Sequence, residues 1–281
     1  MIGASWSAIN HPLLKEKRQD PLPFSKISRL NISNLLVKGA VKVEKKDLLY
    51  EGKAKRVYLT EDDQIVWLEY KDSATAFNGE KKAEIAGKGR LNNEITSLLF
   101  SKLAEKGIPS HFVKKISENE QLVKRVSIIP LEVIVRNYAA GSFSKRLGVE
   151  EGRKLKYPLV EFCLKNDDLG DPLVTDDQID LLDIAAPEEV KALKEKAREI
   201  NLVLTDFFQE IGVRLIDFKL EFGKDSEGNI MLADEVSPDT CRLWDIETNE
   251  KLDKDVFRRD LGNLTNAYEI ILGRLGGPTH V

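Results

Sequence analysis

Histidine and cysteine are nearly missing from this chain of 281 residues. The three histidines, His11, His111 and His280, sit in no motif, and two lie near the termini. A histidine-based nucleophile or a zinc centre is therefore not expected. The two cysteines, Cys163 and Cys241, are far apart and form no CxxC. That argues against a disulfide framework and for reduced thiols in a cytoplasmic protein. No apolar run approaches a membrane span, and no compact apolar core marks a signal peptide. Long basic blocks are absent too. With 43 basic and 47 acidic residues the net charge is −4, so a nucleic-acid partner is not expected. Neither a Walker motif nor GxGxxG occurs.

What is present suits a sizeable core, since 42% of the residues are hydrophobic. The first 46 residues hold three prolines and no sustained period, and read as an irregular extension. The informative stretch is 213–245, VRLIDFKLEFGKDSEGNIMLADEVSPDTCRLWD. Alternation puts Ile216, Phe218, Leu220 and Phe222 on one strand face and Asp217, Lys219 and Glu221 on the other. Residues 223–229 carry turn chemistry, and a second apolar run ends in Asp234 and Glu235. The pattern predicts a β-hairpin. Its charged face is either a wet sheet face or a site. Lysine interleaved with carboxylates favours a site for a hard cation carried with phosphates, Mg²⁺ above all. Glu221 and Asp234 share a face only if the hairpin loop holds an even number of residues.

Elsewhere the signals are weaker. Residues 48–72 read as two strands around the turn at Glu61, Asp62 and Asp63. Gly52-Lys53-Ala54-Lys55 lets the backbone approach a phosphate and supplies two cations, or the lysines merely solubilise a strand end. Residues 71–79 read as a loop in which Asp72 is a ligand-binding acid or an Asx-turn residue. A helical period begins at Lys81 and stops at Gly107, with Leu91, Ile95, Leu98, Leu99 and Leu103 as its stripe. A strand at 131–135 ends in Arg136. Gly141-Ser142 beside Lys145 and Arg146 is then either a phosphate cradle or a helix N-cap at Ser142. Residues 158–183 look loop-rich. A long helix follows from Pro187 with Val190, Leu193, Ala197, Ile200, Leu204, Phe207, Phe208 and Ile211 inward. Residues 252–275 form a terminal helix or helix pair broken near Gly262, with Leu261 among its apolar positions. Strands and helices alternate irregularly, which predicts α+β with a strand-rich first lobe and a more helical second one.

YEGKAKRVY (50–58), VIVRNYAAGSFSKRLG (133–148), LIDFKLEFG (215–223) and LADEVSPDTCRLWD (232–245) resemble the SAICAR synthetase family of purine biosynthesis. KDSATAFNGEKKAEIAGKGRLNNEI and LDKDVFRRDLG look like its bacterial members. The resemblance implies a two-lobed fold whose second lobe is ATP-grasp-like. Residues 47–128 would be a nucleotide-binding lobe and 129–281 a substrate- and metal-binding lobe. It also implies a cytoplasmic, ATP- and Mg²⁺-dependent amide-forming ligase. ATP phosphorylates the carboxylate of CAIR, the amine of L-aspartate displaces the phosphate, and SAICAR, ADP and phosphate leave. By motif position Lys53, Ala54, Lys55 and, more weakly, Lys165 would hold the nucleotide. Glu221 and Asp234 would hold Mg²⁺ and act in catalysis with Lys219, which would lie between nucleotide and substrate. Arg136, Ser142 and Arg242 would grip the ribonucleotide phosphate. Asp72, Asp239 and Arg258 would line the CAIR or aspartate pockets, and the strand 121–130 would be the hinge behind adenine. A homodimer is compatible with the family. The rival readings are a kinase-like phosphotransferase acting on a small-molecule hydroxyl and a non-catalytic nucleotide-binding module.

Overall fold

The computed structural model describes residues 43–76 and 79–278. The expected extension over 1–46 lies outside them except for residues 43–46. Those four already touch the first sheet, since Lys46 N–H donates to the Leu59 carbonyl at 2.9 Å.

Three strands open the described chain where two were expected: β1 (Leu48–Glu51), β2 (Lys55–Leu59) and β3 (Ile65–Tyr70). The extra reversal is the glycine-lysine segment itself, closed by Gly52 N–H to the Lys55 carbonyl at 2.8 Å. The expected loop at 71–79 contains a strand. β4 (Ser73–Ala76) pairs antiparallel with β5 (Lys81–Glu84), while Phe77 and Asn78 lie outside the described residues. Helix α1 (Lys88–Glu105) therefore starts seven residues later than its apolar period suggested, at 88 against 81. Asp72 sets that start by accepting hydrogen bonds from the N–H groups of Gly87 and Gly89 at 3.1 and 2.8 Å. β6 (Phe112–Lys115) and β7 (Glu120–Lys124) complete a five-stranded sheet in the order β1-β2-β3-β7-β6.

The second sheet begins two residues later with β8 (Ser127–Tyr138), so the expected continuous strand over 121–130 is interrupted at Arg125 and Val126. Helix α2 (Gly141–Leu147) follows. The stretch read as loop-rich contains β9 (Lys154–Leu164), β10 (Leu173–Val174) and helix α3 (Asp176–Leu181). Pro158 disguised β9. It falls in a register shift, where Leu159 pairs with Arg136 but Lys154 pairs with Tyr138. A proline is tolerated there because no ladder bond is required of it. Helix α4 (Pro187–Glu210) leads into β11 (Val213–Lys224), β12 (Ile230–Ala233) and β13 (Cys241–Asp245). The sheet runs β10-β9-β8-β11-β12, with β13 also on β11. Short helix α5 (Asp255–Arg258) and helix α6 (Leu264–Arg274) close the described chain.

All pairs of these strands are antiparallel, and helices do not alternate with strands as βαβ units. The α+β expectation is met. The main core lies where α4 covers the second sheet, and it is joined by α1, which packs against β3, β6 and α6. Val190, Leu193, Ala197, Ile200, Leu204 and Phe208 of α4 meet Val133, Val135, Leu215, Phe218, Leu220 and Phe222. Phe207 and Ile211 pack against it only in part. Ile216 departs from the expected face. A register shift between Leu215 and Asp217 reverses the alternation, so Ile216 packs with Ala140 and Trp244 in a separate cluster. Leu261 is 54% exposed because it sits in the break at Gly262, whose φ is 141°.

Phe208 is fully buried at the centre of that core. Phe208→Ala is expected to lower unfolding free energy by roughly 3–5 kcal/mol, read from denaturant melts.

Candidate active site

Between the lysine turn and the charged face of β11 lies a cavity of about 940 Å³. Gly52, Lys53, Ala54, Lys55, Arg136, Ser142, Lys165, Lys219, Glu221, Asp234, Asp239, Arg242 and Arg258 all line it. Asp72 is the exception among the expected site residues. Its carboxylate caps the start of α1, a structural task that takes it away from the cavity wall.

One lysine holds the centre. Lys219 Nζ lies 2.7 Å from Glu221 Oε1, 3.1 Å from Glu132 Oε1 and 3.8 Å from Asp234 Oδ2. Lys165 approaches Glu221 at 2.8 Å, and Lys55 approaches Asp234 at 2.6 Å. Loop parity alone would have separated the two acids. Lys224 pairs with Ile230, leaving the odd loop 225–229, and Glu221 faces Ala233. Asp234 escapes the parity rule because it lies one residue past the strand end with φ +57°, a left-handed turn that aspartate tolerates. The acids thus reach one lysine from different strand positions.

Burial makes these charges interdependent. It opposes the charge of Lys219, but Glu221, Asp234 and Glu132 outweigh it and raise the pKa well above the usual lysine value. It opposes the charge of Asp234 as well, and Lys55 and Lys219 hold that pKa well below the usual aspartate value. Burial likewise disfavours the Lys55 ammonium, which Asp234 and Glu235 restore. Lys55, Lys219 and Asp234 therefore stay ionised together. Lys53 is more exposed and reaches Asp167 at 2.6 Å across the mouth.

The opposite end carries the guanidinium groups. Arg136 donates to Glu161 at 2.6 Å, to Asp217 at 2.8 Å and to Ser142 Oγ at 3.3 Å. Arg242 forks between two acids, its Nη1 donating to both oxygens of Asp217 at 2.9 and 3.1 Å and its Nε to Asp255 at 3.0 Å, while Arg258 donates to Asp255 at 2.7 Å. Asp217 thereby ties two arginines side by side. Gly141 makes room for this: a Cβ there would lie 2.4 Å from Arg242 Nη2, and its φ is +53°. The helix after it is capped by Ala140 without a side-chain bond, so Ser142 is not the N-cap. Its hydroxyl is turned to Arg136.

Sequence reasoning passed over several lining residues. Asp217 and Glu132 were legible only as charged strand positions. Glu235 stood beside a better candidate, and Lys254 read equally as a cleft residue or as part of a solvated helix start. His111 carried no signal at all, yet it is buried with Nε2 3.2 Å from the Asp234 carbonyl. Burial, with Lys55 adding to it, depresses its pKa to about 4, so the ring is neutral near pH 7.

Such a cavity, with lysines at one end, a carboxylate pair at its centre and paired arginines at the other end, is of the class that suits phosphorylated small molecules. Comparison with known proteins agrees. The family model described as SAICAR synthetase matches residues 48–275. A phosphoribosylaminoimidazole-succinocarboxamide synthase of Bacillus cereus is 68% identical over 239 residues, covering 85% of this chain and all of the relative. The crystal structure of the synthase of that name from Ehrlichia chaffeensis is 45% identical with a TM-score of 0.81, over 83% of this chain and 100% of that one. A SAICAR synthetase solved in complex with ADP is 46% identical with a TM-score of 0.80, over 83% and 99%. The chain belongs to the SAICAR synthetase family, whose members are amide-forming ligases.

Both cysteines are buried, and burial raises each thiol pKa, that of Cys163 to about 11. A thiol reagent at neutral pH is expected to label neither in the native protein and both after denaturation, as counted by mass spectrometry.

Proposed function

We propose that this cavity joins CAIR to L-aspartate at the expense of ATP, through an acyl phosphate, giving SAICAR, ADP and phosphate. The observation that carries the reading is the meeting of Glu221 and Asp234 at Lys219 within the cavity that also holds the Arg136–Asp217–Arg242 cluster. A carboxylate is a poor electrophile, and phosphorylation supplies it with a leaving group. The work left to the protein is to place two substrates and balance their charge.

The five-stranded sheet is assigned to the nucleotide, with Lys53, the Ala54 backbone and Lys55 at the phosphates and Lys165 across from them. The ADP complex of the relative at 46% identity supports this. Arg136, Ser142 and Arg242 receive the ribonucleotide phosphate. Asp217 and Asp255 hold the guanidinium planes in register beforehand, so little side-chain entropy is lost on binding. Lys219 sits between the two sites and meets the negative charge that moves from ATP to the substrate carboxylate. Asp239 and Arg258 border the amino-acid side.

The residues present fit Mg²⁺. Among the described residues no three His, Cys, Asp or Glu side chains are grouped to hold a metal by themselves. Two carboxylates completed by phosphate oxygens and water are the donor set this ion usually takes. Glu221 and Asp234 would hold it, and the ion would neutralise phosphate charge there. No helix among the described residues is long and apolar enough to cross a membrane. A cytoplasmic location and small-molecule substrates complete the reading, with a homodimer as the assembly to look for.

The direct test is ADP release with CAIR, run with and without L-aspartate. Turnover that requires aspartate supports the ligase, and turnover indifferent to it supports a phosphotransferase. Asp234→Asn, which tolerates the left-handed backbone, is expected to cut kcat by roughly 10²-fold or more while leaving the thermal transition in place. Loss of the transition would make Asp234 structural. Arg242→Lys keeps a charge beside Asp217 but loses the fork. It is expected to raise KM for CAIR roughly tenfold with little change for ATP, in steady-state kinetics.

A further inference from the structure

The cations of the cavity divide among the anionic groups of the proposed reaction. Lys53, Lys55 and Lys165 stand at the nucleotide, and Arg136 and Arg242 at the ribonucleotide phosphate. Lys219 lies between the two, Lys124 and Arg125 stand at the end of β7, and Lys254 and Arg258 remain, one helical turn apart on the cavity wall. The ion-pair partner of Lys254 is Asp239, whose Oδ2 lies 3.4 Å from its Nζ. Asp239 is held more closely from the protein side. Lys88 Nζ is 2.6 Å from the same oxygen, and the Tyr268 hydroxyl donates to the other.

Lys88 is an unexpected residue for its place. Its side chain is 0% exposed, and it is the first residue of α1, where the helix dipole disfavours a cation. Its ammonium has the ion pair with Asp239 but no well-aligned hydrogen bond. Burying a charge on these terms is costly, and an apolar side chain of similar volume is often no worse for stability.

We propose that Lys88 is a positioning residue: by neutralising Asp239 from inside the protein, it leaves the Lys254 ammonium aimed into the cavity and free to bind a carboxylate of the amino-acid substrate. This rests on the ligase reading. Without Lys88, Asp239 would draw Lys254 into a closed pair. With it, two cations share one anion, and the surplus charge faces the ligand. Burial first, then repulsion from Lys88 and Arg258, outweigh Asp239 and hold the Lys254 pKa below the ordinary lysine value. An ammonium in that state gains from an incoming anion. L-Aspartate, with two carboxylates, is the substrate for which the other cations leave no partner.

The test is steady-state kinetics of Lys88→Met with ATP, CAIR and L-aspartate varied in turn. The expected result is a tenfold or greater rise in KM for L-aspartate, with KM for ATP and CAIR within about twofold of wild type, and recovery in Lys88→Arg. Should Lys88→Met fail to fold, Lys88→Gln removes the buried cation while leaving a polar group beside Asp239 and is expected to show the same selective rise. An unchanged aspartate KM, or parallel rises for all three substrates, overturns the proposal, as does failure of both variants to fold. A wild type whose ADP release ignores L-aspartate would defeat the ligase reading itself, which keeps the two failures apart.

Discussion

Three charged side chains at alternate positions of one buried strand govern this structure. Asp217, Lys219 and Glu221 sit on β11 between β8 and its other partners, in a sheet whose opposite face is sealed by α4. Charges so placed lose most of their hydration, and the loss is tolerable only if each finds a partner. Asp217 finds two arginines. Glu221 finds two lysines. Lys219 finds three carboxylates. Much of the cavity follows from that requirement, since the partners come from β8, β13, the turn after β9 and the segment after β12.

The same arrangement prepares the site for anions. Each guanidinium and ammonium is already fixed by a carboxylate, so a phosphate or carboxylate that enters meets groups with little freedom left to lose. The left-handed Asp234 and the missing side chain at Gly141 are local departures that serve this end. One brings a second acid to Lys219, and the other lets Arg242 lie against the backbone.

Much of this was legible along the chain. The alternation of 213–224 announced a strand with one charged face, and the apolar period of α4 announced most of its buried side. The long motifs carried the family. Other features were hidden for identifiable reasons. β9 was masked by Pro158, whose position in a register shift depends on β8. β4 and β5 are short, small or lysine-rich, and their pairing is not written in their composition. Asp72 read as a candidate ligand acid because nothing in 71–79 shows that two backbone N–H groups of α1 will claim it.

Residue spacing along one segment was enough to specify the longer helices, the charged strand at 213–224, most of the core face of α1 and α4 and the chemical types brought to the site, because those depend on local periods of two and 3.6 residues. Which acid meets which base was settled by the folded chain. Lys55 and Asp234 are 179 positions apart, and Lys88 and Asp239 belong to different elements altogether. Desolvation acts on groups that are close in space, so pairing, and with it charge state, became defined once the sheets and helices had closed around them.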